Sequence, residues 1–105
     1  MQAEEVYDGV QRRSFSSRSA TVTSYTFAPG ATFPVHRHPQ EQITLIEAGQ
    51  VEMTVEDRVE SLAAGDWSVV EADVEHGIRA GADGARVVAI VIPRRESSDA
   101  YTVVR

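Results

Sequence analysis

The chain has 105 residues, a formal net charge of −6 and no cysteine; that length holds a single core, and the missing thiols exclude disulfides, thiolate metal sites and cysteine nucleophiles. Its basic residues offer only the short pairs Arg12–Arg13 and Arg94–Arg95 where nucleic acid would need a stripe, and no run approaches the roughly 18 apolar residues of a membrane span. The opening MQAEEVYDGVQRRS lacks a basic-then-apolar leader, so the expected location is the cytoplasm, with neither a nucleic-acid nor a membrane partner.

Residues 1–18 are irregular and are expected to form an N-terminal arm or edge strand, ahead of a single domain over 19–105. TVTSYTFA (21–28) reads as a strand closed by Pro29–Gly30. EQITLIEA (41–48) reads as a second strand ending at Gly49. QVEMTVE (50–56) alternates Val51, Met53 and Val55 with polar residues, a half-buried strand of its own. Glu56-Asp57-Arg58 is a turn into VESLA, and Gly65–Asp66 a turn into WSVVE. HGIRA (76–80) is a short strand, Asp83–Gly84 a hairpin-type turn, RVVAIVI (86–92) a buried strand, and YTVVR an added edge. No segment carries a helical period. Eight or more strands at turn spacings of roughly 8–12 residues predict an all-β sandwich or barrel. Tyr25, Phe27, Phe33, Met53 and Trp67 are assigned to its core or cavity lining.

The chemistry concentrates in HRHPQEQ, residues 36–42. On a strand, i and i+2 point to one face. His36 and His38 therefore converge, Arg37 faces away, and parity favours Gln42 over Glu41 as their companion. His76 is the remaining histidine. Paired histidines of this kind are either metal ligands or polar loop residues, and the residues alone leave that choice open.

The spacing resembles the cupin family. Its first motif runs glycine, five residues, His-x-His, three or four residues, glutamate, six residues, glycine; here Gly30, His36, His38 and Gly49 fall in place, with Gln42 at the glutamate position. The second motif is degenerate. Gly65 and His76 hold their positions, while Glu71, Asp73 and Ala80 replace a proline, a glycine and an asparagine. The resemblance implies a cupin-type double-stranded β-helix, a jelly-roll barrel. It also implies one divalent ion held by His36, His38, Gln42 and His76, with zinc, nickel, iron, manganese and copper all open. The alternative for Gln42 is a structural role beside three histidine ligands. A wholly neutral donor set leaves the ion's charge uncompensated, which favours an anionic ligand and disfavours oxidation of a ferrous ion.

Small cupins that open unsaturated uronates share the His-x-His, three residues, Gln pattern and carry an Asp-x-Phe-x-Pro-x-Arg segment. Aligned on Pro93, Arg95 takes the arginine position, where it would bind a substrate carboxylate; Ala89 and Val91 stand at the acidic and phenylalanine positions. The other reading of Arg95 is a solvated charge. The implied function is a metal-dependent enzyme acting on a small, carboxylated or sugar-derived molecule by isomerisation, ring opening or cyclisation. A dioxygenase and a non-catalytic ligand-binding or sensor module are the alternatives. Apolar residues on both faces of some strands, Val22, Ile43 and Leu45 among them, predict a homodimer, with the N-terminal residues crossing over.

Overall fold

The computed structural model describes residues 2–97 and 100–104. Its elements are β1 (Glu4–Tyr7), β2 (Val10–Ser16), β3 (Thr21–Phe27), β4 (Thr32–Arg37), β5 (Glu41–Val55), β6 (Arg58–Ala63), β7 (Trp67–Val70), β8 (His76–Ile92) and β9 (Thr102–Val103). All pairings are antiparallel. The described residues include no helix, and so none long and apolar enough to cross a membrane. The all-β jelly-roll expectation is met.

Two long strands make the barrel. The first half of β5 pairs with β7 and with the second half of β8, while its second half pairs with β6 and with the first half of β8. Both strands thus pass from one wall of the barrel to the other. The sequence reading split each of them in two, and the structure corrects it. Gly49 does not end a strand, and Asp83–Gly84 is not a hairpin turn. Both glycines are left-handed, with φ of +78° and +74°, and sit where the ladder bulges and bends. A Cβ on Gly49 would strike the Gly84 carbonyl oxygen, and one on Gly84 would lie 2.5 Å from the Phe27 carbonyl oxygen. Glycine is required there by close backbone approach at a corner.

The expected turn at residues 56–57 is present, since Val55 pairs with Arg58. Residues 4–16 fold as a hairpin laid on β3, with Val10 opposite Phe27 and Phe15 opposite Val22. The C-terminal edge is β9, paired with β4.

One buried cluster gathers Tyr25, Phe27, Phe33, Ile46 and Val87, and a smaller one Met53, Val55 and Val70. Trp67 departs from expectation: it is 67% exposed. Ser68 and Val70 take the inner face of β7, so the alternation turns Trp67 and Val69 outward, opposite Leu45 and Ile43 of β5.

Candidate metal centre

β4 delivers His36, the connection after it His38, β5 Gln42 and Thr44, and the first residue of β8 His76, which pairs with His36. Alternation survives Pro39. His36, His38, Gln40, Gln42 and Thr44 are buried, whereas Arg37, Pro39 and Glu41 are exposed. Gln42 faces the histidines and Glu41 faces solvent.

The three rings meet at centroid distances of 5.6 Å (His36–His38), 4.2 Å (His36–His76) and 4.9 Å (His38–His76). One nitrogen from each lies within 4.8 Å of the other two, a spacing that could hold a metal ion. The Nδ1 atoms are held by backbone carbonyls: His36 by Pro34 at 2.8 Å, His38 by Gln40 at 3.0 Å and His76 by Val74 at 2.9 Å. A carbonyl only accepts, so each Nδ1 carries the proton and a neutral ring presents a bare Nε2 lone pair. Burial keeps the rings neutral. It lowers the pKa of His36 to about 3, helped by His76, and that of His76 to about 4. His38 is lowered by burial and then by the Arg95 charge.

Gln42 Oε1 lies 3.0 Å from His38 Nε2 and 3.3 Å from His76 Nε2, while its Nε2 donates to Thr44 Oγ1 at 2.9 Å. Bare nitrogens and an amide oxygen therefore face one another with no hydrogen between them. Such a donor set fits a divalent cation, with the carbonyl bonds fixing tautomer and ring orientation.

The family model of the cupin domain matches residues 23–93. The chain belongs to the cupin family. Among curated proteins none matches it. Among solved structures, an RmlC-like cupin from Shewanella frigidimarina NCIMB 400 is similar at TM-score 0.84 and 25% identity, over 90% of this chain and 86% of that one. KdgF from Halomonas sp. is similar at TM-score 0.84 and 26% identity, over 91% and 89%. Oxalate decarboxylase from Lactobacillus farciminis shares the fold at TM-score 0.89 and 19% identity, over 98% of this cupin and 33% of that chain.

The structure separates the arginine pair that follows the last long strand of this cupin. Arg94 is exposed, whereas Arg95 is only 5% exposed, so the solvated reading fits the first and not the second. The Arg95 backbone N–H donates to Thr21 Oγ1 at 2.8 Å, and its guanidinium carbon lies 5.9 Å from the centre of the Tyr101 ring. Its charge reaches all three histidines, each of which it pushes toward the neutral form.

A cavity of about 30 Å³ borders His36 and His76, walled by Tyr25, Phe33, Gln42, Thr44, Met53 and Ala89 among others. Its lining contains no carboxylate, and Ala89 is part of its wall. Sequence reasoning overlooked two neighbours. Thr44 shares the parity of Gln42, a signal that was present and unused. Tyr101, read only as part of an edge, packs edge-on against His36 with ring centroids 5.2 Å apart and shares a 2.8 Å hydrogen bond with the Tyr7 hydroxyl. Burial raises the Tyr101 pKa above the ordinary phenol value, with the Tyr7 bond adding to it.

Proposed function

We propose that this cupin is a metal-dependent enzyme for a small carboxylated molecule. His36, His38 and His76 hold one divalent ion and Gln42 completes the set. The observation that carries this reading is the inward convergence of three bare ring nitrogens and one amide oxygen. A bound divalent ion supplies Lewis-acid polarisation and acidifies water. Arg95 binds the substrate carboxylate, a role supported by its burial and by its electrostatic reach to every histidine. Phe33 and Met53 wall the cavity beside the histidines and so bound the ligand on that side. Isomerisation, ring opening or cyclisation suits an all-neutral donor set better than oxygenation.

A second reading, ligand binding without turnover, is favoured by Ala89. With no acid in the cavity wall, the Tyr25 hydroxyl, His36 and His76 are what it offers for proton transfer. Purified protein stripped of metal should take up a single equivalent of zinc per chain. The loaded form should then bind small carboxylates, and Arg95→Gln should weaken them roughly tenfold or more without changing zinc uptake. Carboxylate binding that is unchanged in Arg95→Gln counts against its role. Binding without conversion of any α- or β-substituted carboxylate favours the second reading.

The assembly is a homodimer built on the outer barrel wall. There Phe15, Val22, Ile90, Ile43 and Val69 stand in one cross-strand row, and Val88, Leu45 and Trp67 in the next. Phe15, Leu45, Trp67, Val69 and Ile92 are exposed, and a contiguous apolar patch of this kind is an interaction surface in most soluble proteins. A two-fold pairing of identical walls covers it in both copies.

A further inference from the structure

Thr44 is only 1% exposed and lies two residues beyond Gln42 on the inner face of β5. Its Oγ1 accepts from Gln42 Nε2, and that bond is what turns the amide oxygen toward His38 and His76. Oxygen lone pairs then face nitrogen lone pairs, because the other nitrogen of each ring is already donating to a backbone carbonyl. A cation among these atoms makes the contact favourable; without one it is repulsive.

Turning the amide over reverses every element of this pattern. An NH2 group has two hydrogens, one for each of the two Nε2 atoms. The amide oxygen would then face Thr44, whose hydroxyl donates as readily as it accepts. Each orientation matches donor to acceptor across the Gln42–His38, Gln42–His76 and Gln42–Thr44 contacts, but only in one state of occupancy.

We propose, building on the metal reading of this site, that the Gln42 amide has two positions set by metal occupancy, oxygen inward with the ion and NH2 inward without it, and that Thr44 is the positioning residue whose hydroxyl reverses its role to hold either one. The structure carries the oxygen-inward position.

The two positions depend on Thr44 unequally. Without its hydroxyl, the oxygen-inward amide buries an N–H that has lost its acceptor. The NH2-inward amide leaves only a carbonyl oxygen short, and buried donors tolerate this less well than carbonyls do. Thr44→Val should therefore weaken zinc binding roughly 3- to 10-fold, the loss of about one net hydrogen bond. Thr44→Ser should restore it, and Thr44→Val should have no further effect in a Gln42→Ala background.

The direct test is nuclear magnetic resonance on the 15N-labelled full chain at neutral pH. Metal-free protein should show 15N–15N coupling across N–H···N hydrogen bonds from the Gln42 side chain to Nε2 of His38 and His76. Saturating zinc should abolish both couplings while shifting the Nε2 resonances of all three histidines. Zinc uptake with no coupling in the metal-free protein overturns the two-position amide alone, as does coupling that persists at saturation. No zinc response at any histidine overturns the metal reading and the switch together.

Discussion

The inner and outer faces of β5 invert the usual distribution of polarity. Inward at its first half stand Gln42 and Thr44, facing His36, His38 and His76; outward stand Ile43 and Leu45, beside Val69 and Trp67 of β7. Polar groups out of water need partners, and a large exposed apolar patch is unfavourable unless covered. Neither face is what stability of an isolated 105-residue chain would select. In the proposed reading, each inversion marks a place where the partner comes from outside the chain: a cation and ligand on one side, a second copy on the other.

The largest separation between the faces should come from acid. The folded-state pKa of His36 lies at about 3 and that of His76 at about 4, against an ordinary 6.5. As pH falls below that ordinary value the unfolded chain takes up protons that the folded one refuses, so metal-free protein loses stability. Each buried histidine steepens the loss toward about 1.4 kcal/mol per pH unit, several kcal/mol in all before the folded protein itself titrates. Stability is retained above the unfolded pKa, and zinc, which holds the histidines unprotonated, should postpone the loss. Urea unfolding between pH 7 and 4.5 reads this directly. A flat midpoint would mean that the rings are neither buried nor neutral.

Removing one ligand tests the inner face at constant pH. His76→Ala leaves two rings and should weaken zinc by about a hundredfold or more, beyond the usual effect of changing an outer-shell partner. Competition against a chelator measures it. Wild-type retention of zinc in this variant would exclude the cluster as the site. The outer face is tested by Trp67→Glu, which changes an exposed side chain and so should leave the monomer's thermal midpoint in place. A central aromatic contributes roughly 2 kcal/mol or more to an interface, so the dimer dissociation constant should rise by about thirtyfold or more in sedimentation. Wild-type protein that sediments as a monomer at micromolar concentration removes the dimer.

Much of the inner face was legible because strand parity is a local rule. From His36 to Thr44 every second residue is buried, even across Pro39, and the step from Gln42 to Gly49 set the register. What local rules could not supply was the use made of each glycine. A left-handed residue serves a hairpin turn and a bulge equally well. Only the tertiary pairing of Gly49 with Ala85 shows that both long strands continue through their corners. Trp67 was misplaced by composition: large aromatics are usually packing, yet the alternation with Ser68 and Val70 already pointed it outward. The hairpin over residues 4–16 was missed because its inward residues include Arg12, buried and paired with Glu4 at 2.8 Å, which disguises the alternation.

The smallest effects belong to the boundary between the two faces, at the neighbours Glu41 and Gln42. Glu41 is exposed and should leave zinc affinity unchanged when replaced by alanine. Gln42→Ala removes a neutral amide oxygen, a weak ligand beside three imidazoles, so zinc should weaken only about tenfold, less than for His76→Ala. Gln42→Glu keeps an oxygen in place and adds a negative charge at the ion. Zinc should be held as tightly or more so, while a carboxylate ligand, now opposed by that charge, should weaken by roughly threefold to tenfold. The opposite signs are the point of the experiment. A steric change at this position would move zinc and carboxylate binding in the same direction, whereas a change of site charge moves them apart. If Glu41→Ala loses zinc and Gln42→Ala does not, the parity is wrong at Pro39 and the ion is held by a carboxylate. Oxygen chemistry would then become the better reading of the site, because a charge-compensated ferrous ion is easier to oxidise.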